Sequence, residues 1–107
     1  MSETFIYDEV VYPSFVFPQT GPERLETIGT LYGMTPPDSR KCRYLDVGCG
    51  DGANTLLHAF NHPGAEFVGI DLSEKHIESA RRNAAELNLV NVAFLQKDLM
   101  EISFEDL

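Results

Sequence analysis

Three aspartates stand where short apolar runs end. Asp46 follows Tyr44-Leu45, Asp71 follows Phe67-Val68-Gly69-Ile70, and Asp98 comes three residues after Val92-Ala93-Phe94-Leu95. Directly after the first comes Gly48-Cys49-Gly50-Asp51-Gly52, with glycine at alternate positions. A turn stripped of side chains in this way lets a ligand lie on the backbone itself. Carboxylates accept hydrogen bonds and attract cations. One such aspartate is unremarkable, but three beside a bare turn describe a site for a ligand with hydroxyls, an amine or a positive charge.

Those residues need elements to hold them, and the pattern supplies them in order. Thr20-Gly21-Pro22-Glu23 reads as a helix start, with Thr20 as the cap, Glu23 bonding back and Pro22 in the first turn. Leu25, Ile28, Leu31 and Tyr32 then form one apolar stripe at helical spacing. Gly29 within it implies a close approach of another backbone. Gly33 closes the helix and Pro36-Pro37 prevents its return. Lys41 to Val47 is the first strand. Asp51 to Phe60 follows as a helix, with Leu56, Leu57 and Phe60 turned inward. His58 and His62 near its end have no evident third ligand, and Pro63 breaks the helix there, so they read as exposed helix-end histidines and no metal is expected. Phe67 to Ile70 is the second strand. Ser73 caps the next helix, Ile77, Ala80, Ala84 and Leu87 form its buried face, and Asn88 stops it. Val92 to Leu95 is the third strand.

A β-α-β-α-β order means parallel strands in an α/β sheet, and right-handed crossovers give the strand order 3-2-1. All three carboxyl ends then lie on one edge, where ligands bind in open sheets of this kind. Residues 41–107 form this half-domain. Residues 1–40 form an N-terminal arm and helix. The arm carries Tyr7, Tyr12, Phe15 and Phe17 between Pro13 and Pro18. It is too apolar to stand in water, so it packs on its own domain, on a partner, or over the cleft as a lid.

Composition narrows the partners. The 107 residues carry a formal charge of −9, with eight scattered Lys and Arg, which makes no surface for nucleic acid. No apolar run is long enough to span a membrane and no secretory leader is evident, so the expected location is cytoplasmic. Cys42 and Cys49 lack disulfide or metal spacing and read as buried thiols, not nucleophiles.

The turn also satisfies a loose dinucleotide fingerprint, Gly48-x-Gly50-x-x-Ala53, with Asp71 about twenty residues on. Chemistry separates the readings. Asp46 and Asp51 flank the place where a pyrophosphate would sit and would each oppose it by about 1 kcal/mol even in water. An adenosine with a cationic tail suits the site better. Asp71 can take both ribose hydroxyls, Asp98 the adenine edge, and Asp46 with the turn the tail.

That description fits S-adenosylmethionine, and the sequence resembles the Rossmann-like SAM-dependent methyltransferases over about sixty residues. Leu45-Asp46-Val47-Gly48-Cys49-Gly50-Asp51-Gly52 is similar to their first motif. Gly69-Ile70-Asp71-Leu72-Ser73 with the following helix resembles the second, and Asn91 through Asp98 the third. The arm resembles a narrower bacterial group in which a regulatory domain follows the methyltransferase domain. The resemblance implies that Gly48, Cys49 and Gly50 line the methionine part and that Asp46 holds its amino group. It implies that Asp71 takes the ribose diol, that Leu72 packs on the adenine ring and Asp98 bonds its amino group, and that Leu99 also belongs to the cofactor site. The family's sheet has seven strands and three are visible here. The incomplete sheet implies either a longer protein or self-association through the open edge of the first strand. No catalytic residue stands out, and the acceptor is expected to be a small molecule or a protein. A non-catalytic SAM-binding or assembly module and an NAD-dependent oxidoreductase are the competing functions.

Overall fold

The computed structural model describes residues 15–103 and residue 105. The arm's Tyr7 and Tyr12 lie outside the described residues. A short 3-10 turn at Pro18–Thr20 leads into helix α1, Pro22–Leu31. Then come strand β1, Arg43–Val47; helix α2, Ala53–Asn61; strand β2, Glu66–Asp71; helix α3, Glu74–Glu86; and strand β3, Val92–Gln96. A second 3-10 turn spans Leu99–Glu101. The strands form one parallel sheet with β2 in the middle, as the alternation predicts.

Register explains the core. Tyr44 pairs with Phe67 and Phe67 with Val92, while Asp46 pairs with Gly69 and Gly69 with Phe94. Alternate residues of a strand share a face, so these six line one side of the sheet. Phe67 is 1% exposed and Phe94 3% exposed there. From α2 and α3, Leu56, Ala59, Ile77, Ala80 and Ala84 are buried with them. Gly69 leaves the space for the Phe94 ring, since a Cβ on it would come within 2.7 Å of that ring. The Asn91 side chain donates to the carbonyls of Ala59, His62 and Ala65 at 3.0–3.1 Å, which ties the end of α2 to the start of β3.

Local signals set the helix ends. Ser73 Oγ accepts from His76 N at the start of α3. Gly33 (φ 85) and Asn88 (φ 54) both take the left-handed conformation. Gly33 N donates to Thr30 O and Met34 N to Gly29 O; Asn88 N donates to Ala85 O and Leu89 N to Ala84 O. Both ends therefore close with the paired 5→2 and 6→1 bonds that satisfy the last carbonyls.

Several expectations need correction. Gly21, not Thr20, precedes α1, and no side chain caps that helix. Thr20 faces away into other bonds, and Glu23 reaches His62 Nε2 at 2.6 Å instead of bonding back. The stripe of α1 faces solvent: Leu25, Ile28 and Leu31 are exposed and Tyr32 is 84% exposed. Gly29 needs no close approach, because a Cβ there would meet Pro36 at an ordinary 3.7 Å. Phe60 and Leu87 are exposed. In place of Leu87, Leu89 packs on the core, because the left-handed turn at Asn88 redirects the chain. His58 is buried and His62 half-buried. Helix periodicity locates a stripe but cannot say what covers it.

Candidate functional site

The turn after β1 is held by the end of β2. Gly48 N and Cys49 N both donate to Ile70 O, at 2.8 and 3.0 Å, and Gly50 N donates to Asp71 Oδ2 at 2.9 Å. Gly48 (φ 72) has no heavy atom within 4 Å of where a Cβ would be, so its surface is open. Gly52 (φ 84) is the opposite case. A Cβ there would come within 2.8 Å of Phe94 and 2.9 Å of Ala80, so this glycine lets α2 start directly on the core. The first faces outward as a bare platform and the second faces inward as a packing requirement.

The three carboxylates are placed as the sequence predicts, at or just beyond the carboxyl ends of the strands, but each is held differently. Asp71 accepts from two backbone amides: Gly50 N on Oδ2, and Ser73 N on Oδ1 at 2.8 Å. Asp46 accepts on Oδ2 from the Thr55 hydroxyl at 2.6 Å. Asp98 caps the last 3-10 turn, its Oδ1 accepting from Met100 N at 3.0 Å. Leu72 and Leu99 are exposed beside Asp71 and Asp98. Lys97 N donates to Asp71 O, and Gln96 Nε2 to Leu72 O, which joins the ends of β2 and β3.

Cys49 is buried in the core behind the turn. Burial, and then the charges of Asp46, Asp71 and Asp51, push its thiol up to about 12. A thiol shifted in that direction is held protonated, which weakens it as a nucleophile. Among the described residues no group of three or more His, Cys, Asp or Glu could hold a metal ion.

Sequence reasoning missed three participants. Thr55 is fully buried on α2, where a hydroxyl has no reason to be unless something there needs it. His76 is buried on α3 with Nδ1 3.9 Å from Asp71 Oδ1 and no hydrogen-bond partner for that atom. Asn54 joins the N-terminal segment to the site's helix. Its Oδ1 accepts from Phe17 N at 2.7 Å and its Nδ2 donates to Thr20 Oγ1 at 3.0 Å. Thr20 Oγ1 also lies 3.2 Å from His58 Nε2, and Tyr44 OH donates to Thr20 O at 2.7 Å. The available signal was a polar residue on an inward helix position, at Thr55 and His58 alike.

A parallel sheet with a glycine turn after its first strand and a carboxylate at the end of each strand defines a Rossmann-like methyltransferase domain. The chain belongs to this family: residues 38–107 match the methyltransferase domain. The structure of PKMT2 from Rickettsia typhi in complex with AdoHcy is 35% identical with a TM-score of 0.79, over 86% of this chain and 18% of that one. An uncharacterised protein of Rickettsia prowazekii is 38% identical over 96 residues, which is 90% of this chain and 17% of that protein. A tRNA (guanine-N(7)-)-methyltransferase of Rubrobacter xylanophilus is 35% identical over 86 residues, 78% of this chain and 39% of that enzyme. The chain thus spans only 17% to 39% of the length of these relatives.

Proposed function

We propose that this chain binds S-adenosylmethionine along the carboxyl edge of its sheet and forms the donor-binding part of a SAM-dependent methyltransferase. The observation that carries the reading is Asp71. Its carboxylate sits at the end of the central strand and grips both the glycine turn, through Gly50 N, and the start of α3, through Ser73 N. Each oxygen keeps a lone pair for a ribose hydroxyl. Asp46 holds the ligand's amino group, and Gly48, Cys49 and Gly50 line its methionine part. With the three N–H groups of the turn already donated within the protein, this lining is made of open Cα surface and carbonyl oxygens, which favour an ammonium. Leu72 and Leu99 flank the adenine and Asp98 takes its amino group.

The same bonds weigh against a nicotinamide dinucleotide. A pyrophosphate needs free amides at the turn and helix start. Here Ile70 O, Asp71 Oδ2 and Asp51 Oδ1 occupy those of Gly48, Cys49, Gly50 and Ala53. When bound, S-adenosylmethionine supplies an electrophilic methyl group on a sulfonium. The chain's own residues orient it and leave the acceptor to be positioned in line, which is where much of the rate enhancement of such a displacement arises. No residue here is assigned as a general base.

Residues 1–40 act as a cap; within them Phe17 N donates to Asn54 Oδ1 on the first turn of α2. The acceptor is a small molecule or a protein. The charge of −9 disfavours nucleic acid as a partner of this segment, although one relative is named as a tRNA enzyme. The location is cytoplasmic; no helix among the described residues is long and apolar enough to cross a membrane. A strand from a second copy, or from further chain, pairs with the open edge of β1. The alternative, a SAM-binding module without catalysis, differs only in lacking an acceptor site.

The test is calorimetric titration of the purified chain with S-adenosylmethionine, AdoHcy and NAD. Saturable binding of the first two and none of NAD is expected. Binding of NAD alone would overturn the proposal.

A further inference from the structure

We propose that Thr55 is a positioning residue for the methionine end of the donor site, which rests on the S-adenosylmethionine reading above. Its hydroxyl fixes the Asp46 carboxylate by one oxygen, Oδ2, and leaves Oδ1 to meet the ligand's ammonium. The bond is 2.6 Å long, in the range of a hydroxyl donating to an ionised carboxylate. Thr55 is 0% exposed. A threonine inside a helix commonly returns its hydroxyl to a carbonyl of the preceding turn. This one instead reaches nine residues back, across the whole glycine turn, to the strand before it.

Asp46 depends on that bond as Asp71 does not. Asp71 is held by two backbone amides, which no side-chain substitution removes. No described residue other than Thr55 donates to the Asp46 carboxylate. Without the hydroxyl, this half-buried carboxylate is free to turn, and the oxygen that should face the ligand no longer has a fixed direction. The bond also clamps β1 to the third residue of α2, so the platform of Gly48 and the charge of Asp46 keep one relative position.

The consequence is selective, because only the amino-acid end of the ligand meets Asp46. Calorimetry of Thr55→Val, which keeps the shape and removes the hydroxyl, should show AdoHcy binding weakened about tenfold. Affinity for 5′-methylthioadenosine, which lacks the amino-acid end, should change less than about twofold. Thr55→Ser should restore the AdoHcy affinity. Asp46→Asn run beside them tests the underlying reading and should show the same selectivity. Equal weakening of both ligands by Thr55→Val would make the residue merely structural and overturn the proposal. So would no change in either ligand while Asp46→Asn remains selective, in which case the cofactor reading would survive. A non-selective Asp46→Asn, or a wild-type chain that binds neither ligand, would remove the reading and the proposal together.

Discussion

On one face of the sheet Phe67 and Phe94 are 1% and 3% exposed; on the other, Leu45 and Val47 keep 40% and 50% of their surface. Phe67 and Phe94 come from β2 and β3, and Leu45 and Val47 from β1, the edge strand; neighbours along a strand point to opposite faces. Helices α2 and α3 cover the first face; on the second, Ile70 of the central strand is 1% exposed, so the exposed large apolar residues of that face lie on the β1 edge. The edges differ in the same sense. On β3 the Phe94 carbonyl, which points away from β2, is held by Arg81 through Nε at 3.0 Å and Nη2 at 2.8 Å. On β1 the bonds of Cys42 and Gly48 run to β2, so the backbone groups of Leu45 and Val47 point outward, and no described residue bonds them. One side of the sheet is finished within this chain: its face is covered and its edge is blunted by a charge, as natural sheets manage such edges. Strand β1 has the apolar content of a strand covered on both faces, yet Leu45 and Val47 on its second face stay exposed. The proposed donor site lies on the covered side. Asp46 is held from α2 and Asp71 from the turn and the cap of α3.

Substitutions on the two faces should therefore differ most. Phe94→Ala empties the centre of the covered face and should cost about 3–5 kcal/mol in urea denaturation. Leu45→Ser on the open face should cost about 0.5 kcal/mol or less in this chain. Similar costs at both positions would remove the contrast. Next in size is Asn91→Ala, which leaves the carbonyls at the end of α2 without their donor and should cost about 1–3 kcal/mol by the same measurement.

A pH effect should follow from the covered side. Burial pulls the His58 imidazole below its ordinary value of 6.5. Below that value the unfolded chain binds a proton that the folded chain resists, so the stability from neutral His58 is full above pH 6.5 and is lost as pH falls through the folded-state value. Thermal melts should show a midpoint lower at about pH 5.5 than at about pH 7.5, and His58→Gln should flatten the difference. The smallest effect on stability is expected for Arg81→Met. It should leave the melting midpoint within a few degrees but release the Phe94 carbonyl, so sedimentation should show increased association. An unchanged profile would mean that Arg81 does not guard the edge.

The strands, the crossovers and the helix stops were legible in the sequence because each is written locally. Ile70-Asp71, Ser73, Gly33 and Asn88 act through their own backbone and nearest neighbours. Asp46, Asp71 and Asp98 were legible as a set because parallel topology brings the strand ends together. Three kinds of feature were not. The exposure of Leu25, Ile28 and Tyr32 depends on what packs over α1, and a stripe does not name its cover. The burial of His58 depends on Thr20 and Tyr44, each at least fourteen residues away in sequence. The role of Thr55 depends on a bond across the glycine turn, which no helical period encodes.

The account stands most directly on Asp71 as the ribose carboxylate. Calorimetric titration of AdoHcy into the wild-type chain and into Asp71→Ala, with circular dichroism confirming the fold of each, measures it. A charge-assisted bond contributes about 1.5–3 kcal/mol, so binding should weaken at least tenfold. AdoHcy affinity unchanged in a folded Asp71→Ala chain would contradict the assignment of the site.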